Sequence, residues 1–510
     1  MTDQSPDLAK GVPLADLTEG RPFGGTFEEK SVILVKQGAH VMALSGNCTH
    51  AGAPLKNGIV AEGEIRCPWH HARFSVETGE ATAAPGFEPL GCYVTEVSDG
   101  IVRVTGKRDP APTRARQLKE GPVVIVGGGA GGHALADGLA RAGSGRDVIL
   151  LMAEDEPPYD RTLVSKQVLA GKMDAGDARL PEPGLGRGPG IDLRTGTRVA
   201  SIDRAARTVV TESGDRIGYG TLVLATGAAP KQLPIDGLDH PNAFTLRSLE
   251  DTRHLIAKAE SAKRAVILGS SFIGLEAAAS LVARELEVTV VAQDEVPLEK
   301  VLGAEAGKFV QGLHEDKGVT FKLGQSIKSY DGSRVVLEDD STLEADLLVV
   351  GTGVAPRTQL AEAAGLEIDD DLGGVRVDGQ LRTSDPAIRA IGDIAAYPDP
   401  RLGKRIRVEH WVHAERQGQH LAALLLSDTD DEFYDTPFFW TGHYGTQMRY
   451  LGHAGSEAQA VPTETVDKDG FEVRFMAGDE MEALLTCKRD VDALETEAKW
   501  DGEGEKAAAH

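Results

Sequence analysis

The sequence predicts a chain of several domains: an all-β module first, then two parallel-sheet α/β folds, then an α+β domain at the carboxy terminus. Three observations carry this expectation. Short alternating apolar segments, such as Ser31 to Val35 and Gly100 to Val104, recur between Gly and Pro residues over positions 12–105. Apolar strands running into glycine-rich turns and then helices begin at Val123 and again at Ala265. The length of 510 residues suits three or four domains, each with a sizeable core.

Two short clusters give the first module its chemistry. Cys48 and His50 have one residue between them, Cys67 and His70 have two, and sixteen residues separate the clusters. Each is short enough for one loop to present both ligands, so two facing loops can clamp a dinuclear centre. Two thiolates on one iron and two imidazoles on the other form the ligand set of a Rieske 2Fe–2S cluster. Neutral imidazoles make such a cluster less negative and raise its potential to about −150 to +300 mV. It passes single electrons. A zinc site is the competing reading, but zinc fingers order their ligands Cys-Cys then His-His. Here each loop carries one of each. His71 adjoins His70, and the two-residue gap after Cys67 selects His70. The flanks, Ala51 to Leu55, Gly58, Pro68, Trp69, Phe74, Thr78 and Gly79, resemble the Rieske ferredoxin family in its soluble subclass, which lacks an extra Cys pair.

Acidic residues number 79 against 54 basic, a formal charge of −25, which repels phosphate backbones and argues against nucleic-acid binding. The remaining cysteines, Cys92 and Cys487, are far apart and form no disulfide framework, which fits a reducing compartment. The stretch Met1 to Asp7 lacks the features of a secretory signal, and no apolar run is long enough for a membrane span. A cytoplasmic location and a bacterial source are expected.

From Pro122 the pattern becomes Rossmann-like. Val123 to Val126 leads into Gly127, Gly129 and Gly132, a helix follows, and Val148 to Met152 ends just before Glu154. Gly127 permits the tight turn, Gly129 lets a pyrophosphate approach, and Gly132 allows close helix–strand packing. The helix amino terminus attracts the phosphate charge, and Glu154 can accept a ribose hydroxyl. A second copy runs through Gly269 and Gly274, with Ser271 in place of the middle glycine, then Val288 to Val291. Two such folds point to FAD in the first and a nicotinamide nucleotide in the second.

Further motifs recur in order: Pro158 to Lys166, Leu222 to Gly227, Val349 to Pro356 with Gly353, and Ala390 to Asp393 with Gly392. Residues 121–510 thereby resemble FAD-dependent pyridine-nucleotide reductases, in the branch of oxygenase ferredoxin reductases and apoptosis-inducing factors. With the first module attached, the whole resembles apoptosis-inducing-factor-like Rieske flavoproteins. The resemblance implies that Arg161 and Lys166 lie against the flavin, that Lys166 pairs with Glu276 near its reactive face, and that Asp393 contacts the ribityl chain. It places Thr226 and Gly227 at the crossover from the adenine domain, and Glu409 and Trp411 beside the isoalloxazine. The family's Pro-Pro before Leu-Ser-Lys is replaced by Thr162 to Val164, so a different local backbone is expected. No Cys lies between Cys92 and Cys487, which excludes the disulfide chemistry of related flavoproteins.

The expected boundaries are 1–105 for the iron–sulfur module, 106–120 for a linker, 121–245 and 373–428 for the FAD fold, 246–372 for the NAD(P) fold and 429–510 for the final domain. The expected activity is NAD(P)H-dependent reduction of FAD, followed by single-electron relay through the cluster to an acceptor protein or small molecule. The linker raises the expectation that the iron module moves between flavin and acceptor. NADH is favoured, because Asp294 or Glu295 can serve a ribose and no arginine cluster awaits a 2′-phosphate. The alternative is a redox-sensing interaction protein with low turnover, and another is a reductase whose acceptor is a separate ferredoxin. The oligomeric state stays open, a homodimer among the options. His410, His413 and His420 compose a weaker metal candidate.

Overall fold

A computed structural model describes residues 5–108, 118, 121–185, 189–427 and 429–508. The first module is built on a six-stranded antiparallel sheet, with strands in the order Val12–Pro13, Ile101–Arg108, Cys92–Ser98, His40–Ser45, Lys30–Gln37 and Phe23–Phe27. A four-stranded sheet, Ile59–Ala61 to Ala81–Ala83, is inserted after His40–Ser45. Cys48 follows the first sheet's strand and Cys67 follows Glu64–Arg66 directly, so each cysteine leaves a paired strand end. Ile101–Arg108 continues to pair with Cys92–Ser98 as far as Arg108 opposite Cys92. The strand therefore extends past the expected boundary at 105; the rest of the expected linker, apart from Leu118, lies outside the described residues.

The first α/β fold has five parallel strands in the order Asp192–Arg194, Val148–Leu151, Val123–Val126, Thr221–Leu224 and Ile388–Ala390. Val123–Val126 is buried at every position, as expected when helices cover both faces. Ile388–Ala390 returns to this sheet after the second fold, which makes the first one discontinuous in sequence. The second sheet orders Ala243–Thr245, Leu347–Val350, Arg264–Leu268, Glu287–Val291 and Thr320–Lys322, again all parallel. Its edge strand Ala243–Thr245 begins before residue 246, because backbone pairing to Leu347–Val350 pulls it out of the first fold. Ala228–Pro230 and Val354–Pro356 pair antiparallel where the chain crosses between the two folds.

The last segment forms a five-stranded antiparallel sheet that starts at Phe438–His443, followed by the helix Asp490–Ala508. That helix packs on the iron–sulfur module. Arg66, completely buried, bonds Asp501 at 2.6 Å; His71 bonds Glu497 at 2.9 Å, and Arg416 bonds Glu497 from the other side at 2.9 Å. Arg73 reaches both Asp501 and Asp435. The expectation of a shuttling iron module meets an obstacle here, since releasing the module would strand desolvated charges. Among the described residues no helix is long and apolar enough to cross a membrane.

Candidate functional site

The two ligand loops close in the same way. Cys48 N–H donates to Ala53 O at 2.8 Å and Cys67 N–H to Ala72 O at 2.9 Å; Gly52 N–H and His71 N–H return to the two cysteine carbonyls. The loops are equal in length, Gly52 and His71 taking the matching left-handed φ of 75° and 59°, and the histidine ligand sits one position earlier in the first loop. Matched closures set the cysteines side by side and the histidines side by side. The proximity of the two thiols holds Cys48 down and, with burial, pushes Cys67 up. His50 Nδ1 lies 3.1 Å from His70 Nδ1. Burial lowers both imidazoles, His70 to about 3, so each is the neutral form that binds metal. Among the described residues no three His, Cys, Asp or Glu converge as a single metal ion requires. A cysteine pair beside a histidine pair matches the two-thiolate, two-imidazole donor set of a mixed-ligand dinuclear cluster. His410 stacks on Phe439 and His413 bonds Tyr397, which leaves the weaker metal candidate dispersed.

Beside this centre, a cavity of about 690 Å³ opens along the first parallel sheet. Gly127, Gly129, Glu154, Arg161, Lys166, Thr226 and Gly227 line it, as do Glu276, Gly392, Asp393, Glu409 and Trp411. Gly127 has φ 109°, and a side chain there would strike Ala225 O. A side chain on Gly132 would come within 1.9 Å of Gly127 O, so this glycine serves packing. A Cβ on Gly129 would meet nothing within 4 Å, which leaves room for a phosphate at the helix amino terminus.

Lys166 Nζ lies 3.0 Å from Glu276 Oε1, and Ser165 Oγ donates to Glu276 Oε2 at 2.6 Å. The expected pair therefore forms, between the helical turn Val164–Val168 and the helix Phe272–Val282 of the second fold. Despite the missing Pro-Pro, Asp160 caps the preceding turn by accepting from Thr162 N–H at 2.7 Å. Arg161 reaches Glu154, and bonds Tyr159 OH at 2.9 Å and Arg247 O at 3.0 Å, on the same cavity wall as Lys166. Asp393 accepts from Arg247 at 2.8 Å, and Trp411 Nε1 donates to Glu415 at 2.8 Å.

Four residues were missed at the sequence level. Arg198, Arg247 and Arg357 add guanidiniums to the cavity wall, where burial and then Arg247 and Arg161 lower Arg357. Among the described residues Arg357 forms no salt bridge, and an anionic pyrophosphate would supply one. Gln417 accepts from Gly392 N–H at 2.7 Å and fixes the turn before Asp393. Isolated arginines and a glutamine carry no motif, so nothing in the sequence distinguished them.

In the second fold, Gly269 has φ 103° and Gly274 closely approaches Gly269 O, repeating the first turn. Ser271 Oγ donates to Gly351 O at 2.6 Å and accepts from Gly274 N–H at 3.3 Å. The hydroxyl is thus folded back as a helix cap. Gly353, with φ 91°, faces open space.

The sequence matches the family described as pyridine nucleotide-disulphide oxidoreductase over residues 121–418. The chain belongs to that family. Residues 10–94 match the Rieske 2Fe–2S domain. The human protein Apoptosis-inducing factor 3 is 28% identical over 478 residues, covering 90% of this chain and 78% of its own. The anthranilate 1,2-dioxygenase system ferredoxin–NAD(+) reductase component of Burkholderia cepacia is 35% identical, covering 70% of this chain and 88% of its own. A crystal structure of the covalent putidaredoxin reductase–putidaredoxin complex aligns with TM-score 0.68 and 28% identity, covering 76% of this chain and 93% of that one. The chain is a flavoprotein oxidoreductase that uses NAD(P)H and FAD in electron transfer and carries a Rieske cluster. Unlike the disulphide reductases of this family, it has no cysteine among the described residues lining the cavity.

Proposed function

We propose that electrons from the flavin leave one at a time through the iron–sulfur cluster to a ferredoxin-type protein. The carrying observation is the contact of the reductase with a cluster ligand: the Trp440 ring lies 4.2 Å from the His70 ring, centre to centre. Bound FAD accepts hydride and gives up single electrons; the protein supplies placement and electrostatics. Gly127, Gly129, Arg247 and Arg357 would hold the pyrophosphate, Glu154 the ribose, and Asp393 the ribityl chain. Lys166, fixed by Glu276, stands at the reactive pole with Trp411 and Glu409 nearby. Cys48 and Cys67 would hold one iron, and His50 and His70 the other. Gly269, Gly274 and Gly353 shape the nicotinamide nucleotide site. NADH is the preferred donor, because the strand Glu287–Val291 leads to Asp294, which among the described residues is salt-bridged to Lys300 and to no arginine.

Support for the acceptor class comes from a relative described as a ferredoxin–NAD(+) reductase component and from the likeness to putidaredoxin reductase in its complex with putidaredoxin. The division into an iron–sulfur domain, two nucleotide folds and a final α+β domain is our reading of the sheets. Anaerobic NADH titration followed optically and by electron paramagnetic resonance tests the relay. Flavin bleaching with growth of a nitrogen-ligated iron signal is the expected result. Flavin reduction that leaves the cluster oxidised, or zinc in place of iron, would overturn it.

A further inference from the structure

The strand Phe438–His443 separates two kinds of contact. On one face Phe438 stacks on His71 and Trp440 lies tilted against His70, with ring centres 4.0 and 4.2 Å apart. On the other, Phe439 meets Phe272 at 5.1 Å, and beyond it a chain of hydrogen bonds begins. Thr441 Oγ1 lies 3.1 Å from His443 Nε2, and His443 Nδ1 lies 3.0 Å from His314 Nε2. His314 Nδ1 lies 3.3 Å from the Tyr444 hydroxyl. Both imidazoles are completely buried, whereas Tyr444 is only half-buried.

Every nitrogen of the two histidines has a partner, so the path from Thr441 to Tyr444 is continuous. Each of the four groups can donate and accept at once. Burial, followed by the charge of Lys166, lowers His443 to about 4; burial and His443 lower His314 to about 3. Both rings are therefore neutral at ordinary pH, each with one proton to pass and one lone pair to receive. The strand carrying Thr441 and His443 packs through Phe439 on Phe272, the residue before Ile273 of the cavity wall, and so lies behind the wall that also holds Lys166.

We infer that Thr441, His443, His314 and Tyr444 form the exit for the proton left behind when hydride electrons depart through the iron–sulfur centre. The inference rests on the relay proposed above. A hydride brings two electrons and one proton. The acceptor takes two electrons singly and no proton, so NADH yields NAD⁺, two reduced acceptors and one H⁺. With flavin bound, the hydrogen brought in by the hydride would leave as a proton once both electrons have gone. A proton reaching Thr441 from the cavity would displace the hydroxyl's own proton to His443 Nε2. His443 Nδ1 releases a proton to His314 Nε2, His314 Nδ1 releases one to the Tyr444 oxygen, and the phenol proton passes to water. Electrons thus leave on one face of the strand and the proton on the other.

The test uses the full protein loaded with FAD and cluster, one equivalent of NADH and excess ferricyanide in weak buffer. Flavin absorbance and a pH-indicator dye are recorded together. In the parent, proton appearance should track flavin reoxidation and slow in heavy water. Tyr444→Phe keeps the ring against His314 and removes only the hydroxyl; His443→Gln breaks the middle. Each should slow proton appearance by about tenfold or more, towards the roughly 100-fold expected from losing an acid–base group. Added imidazole should restore part of the rate in Tyr444→Phe. Parental proton rates and isotope effects in a folded, fully loaded Tyr444→Phe would overturn the inference, even if His443→Gln fails to fold. Flavin reoxidation with a silent cluster signal would instead sink the electron relay, leaving the proton lag as a separate readout.

Discussion

Lys166 joins the cavity wall to the second fold, and its partner Glu276 is nearly without solvent, its side chain 5% exposed. Removing the ammonium leaves that carboxylate with Ser165 as its remaining partner. Lys166→Met should therefore cost about 2 kcal/mol in urea melts. It should also slow NADH-driven flavin reduction by about tenfold or more, because a charge held at the reactive pole stabilises charge as it develops. Adding Glu276→Gln should recover the stability and leave the rate low; recovery of both would show that the pair is only structural. These two residues, the cluster ligands and the fingerprint glycines were legible in the sequence because each belongs to an ordered motif. Arg247, Arg357 and Gln417 were not. A solitary polar residue reads as solvated until the fold turns it inward.

Two helices show how far element-level reading reached. The helix Phe272–Val282 was expected, and its Ser271 cap explains how the strict glycine pattern is relaxed: the hydroxyl bonds Gly351 O and Gly274 N–H. Ser271→Gly should lose only a few tenths of a kcal/mol. It should lower the KM for NADH by opening the turn to the pyrophosphate, and an unchanged KM in steady-state assays would show that serine already leaves enough room. The helix Asp490–Ala508 was not recognised. Its buried positions Ala493, Leu494, Glu497, Trp500, Asp501 and Gly504 keep helical spacing, but two acids interrupt the apolar stripe. Burial alone would raise Glu497; His71, Arg416 and Arg66 around it outweigh that and hold it well below the usual carboxylate range. Its folded value is the lower one, so its contribution is present above about pH 4.3, the unfolded value, and fades as pH falls. Glu497→Gln should cost about 3–5 kcal/mol at neutral pH, since it strands buried cations. It should also flatten the acid side of a plot of Tm against pH, and a parallel acid limb in the variant would refute this assignment.

At the scale of the whole molecule, the sequence order of modules was legible, because each carries its own motif and periodicity. Their docking was not, since it joins residues as far apart as Arg66 and Asp501, and no local pattern records such a contact. Arg66 and Arg416, 0% and 1% exposed, sit inside the seam with Glu497 and Asp501. Outside it, Gln419 accepts from Ala84 N–H at 2.7 Å, and Arg141 bonds Glu88 at 2.6 Å. Salt screens exposed pairs and barely reaches desolvated ones. The seam should therefore hold the iron–sulfur module in place through turnover, without help from the connecting chain. A protease site introduced within residues 109–117 and then cut should leave the two fragments eluting together in size-exclusion chromatography, in low and high salt alike. NADH should still reduce the cluster in the cut protein at the rate of the intact one. Fragments that separate, or a cluster that loses its electrons' source after cutting, would mean that the tether and not the charged seam holds the redox centres in register.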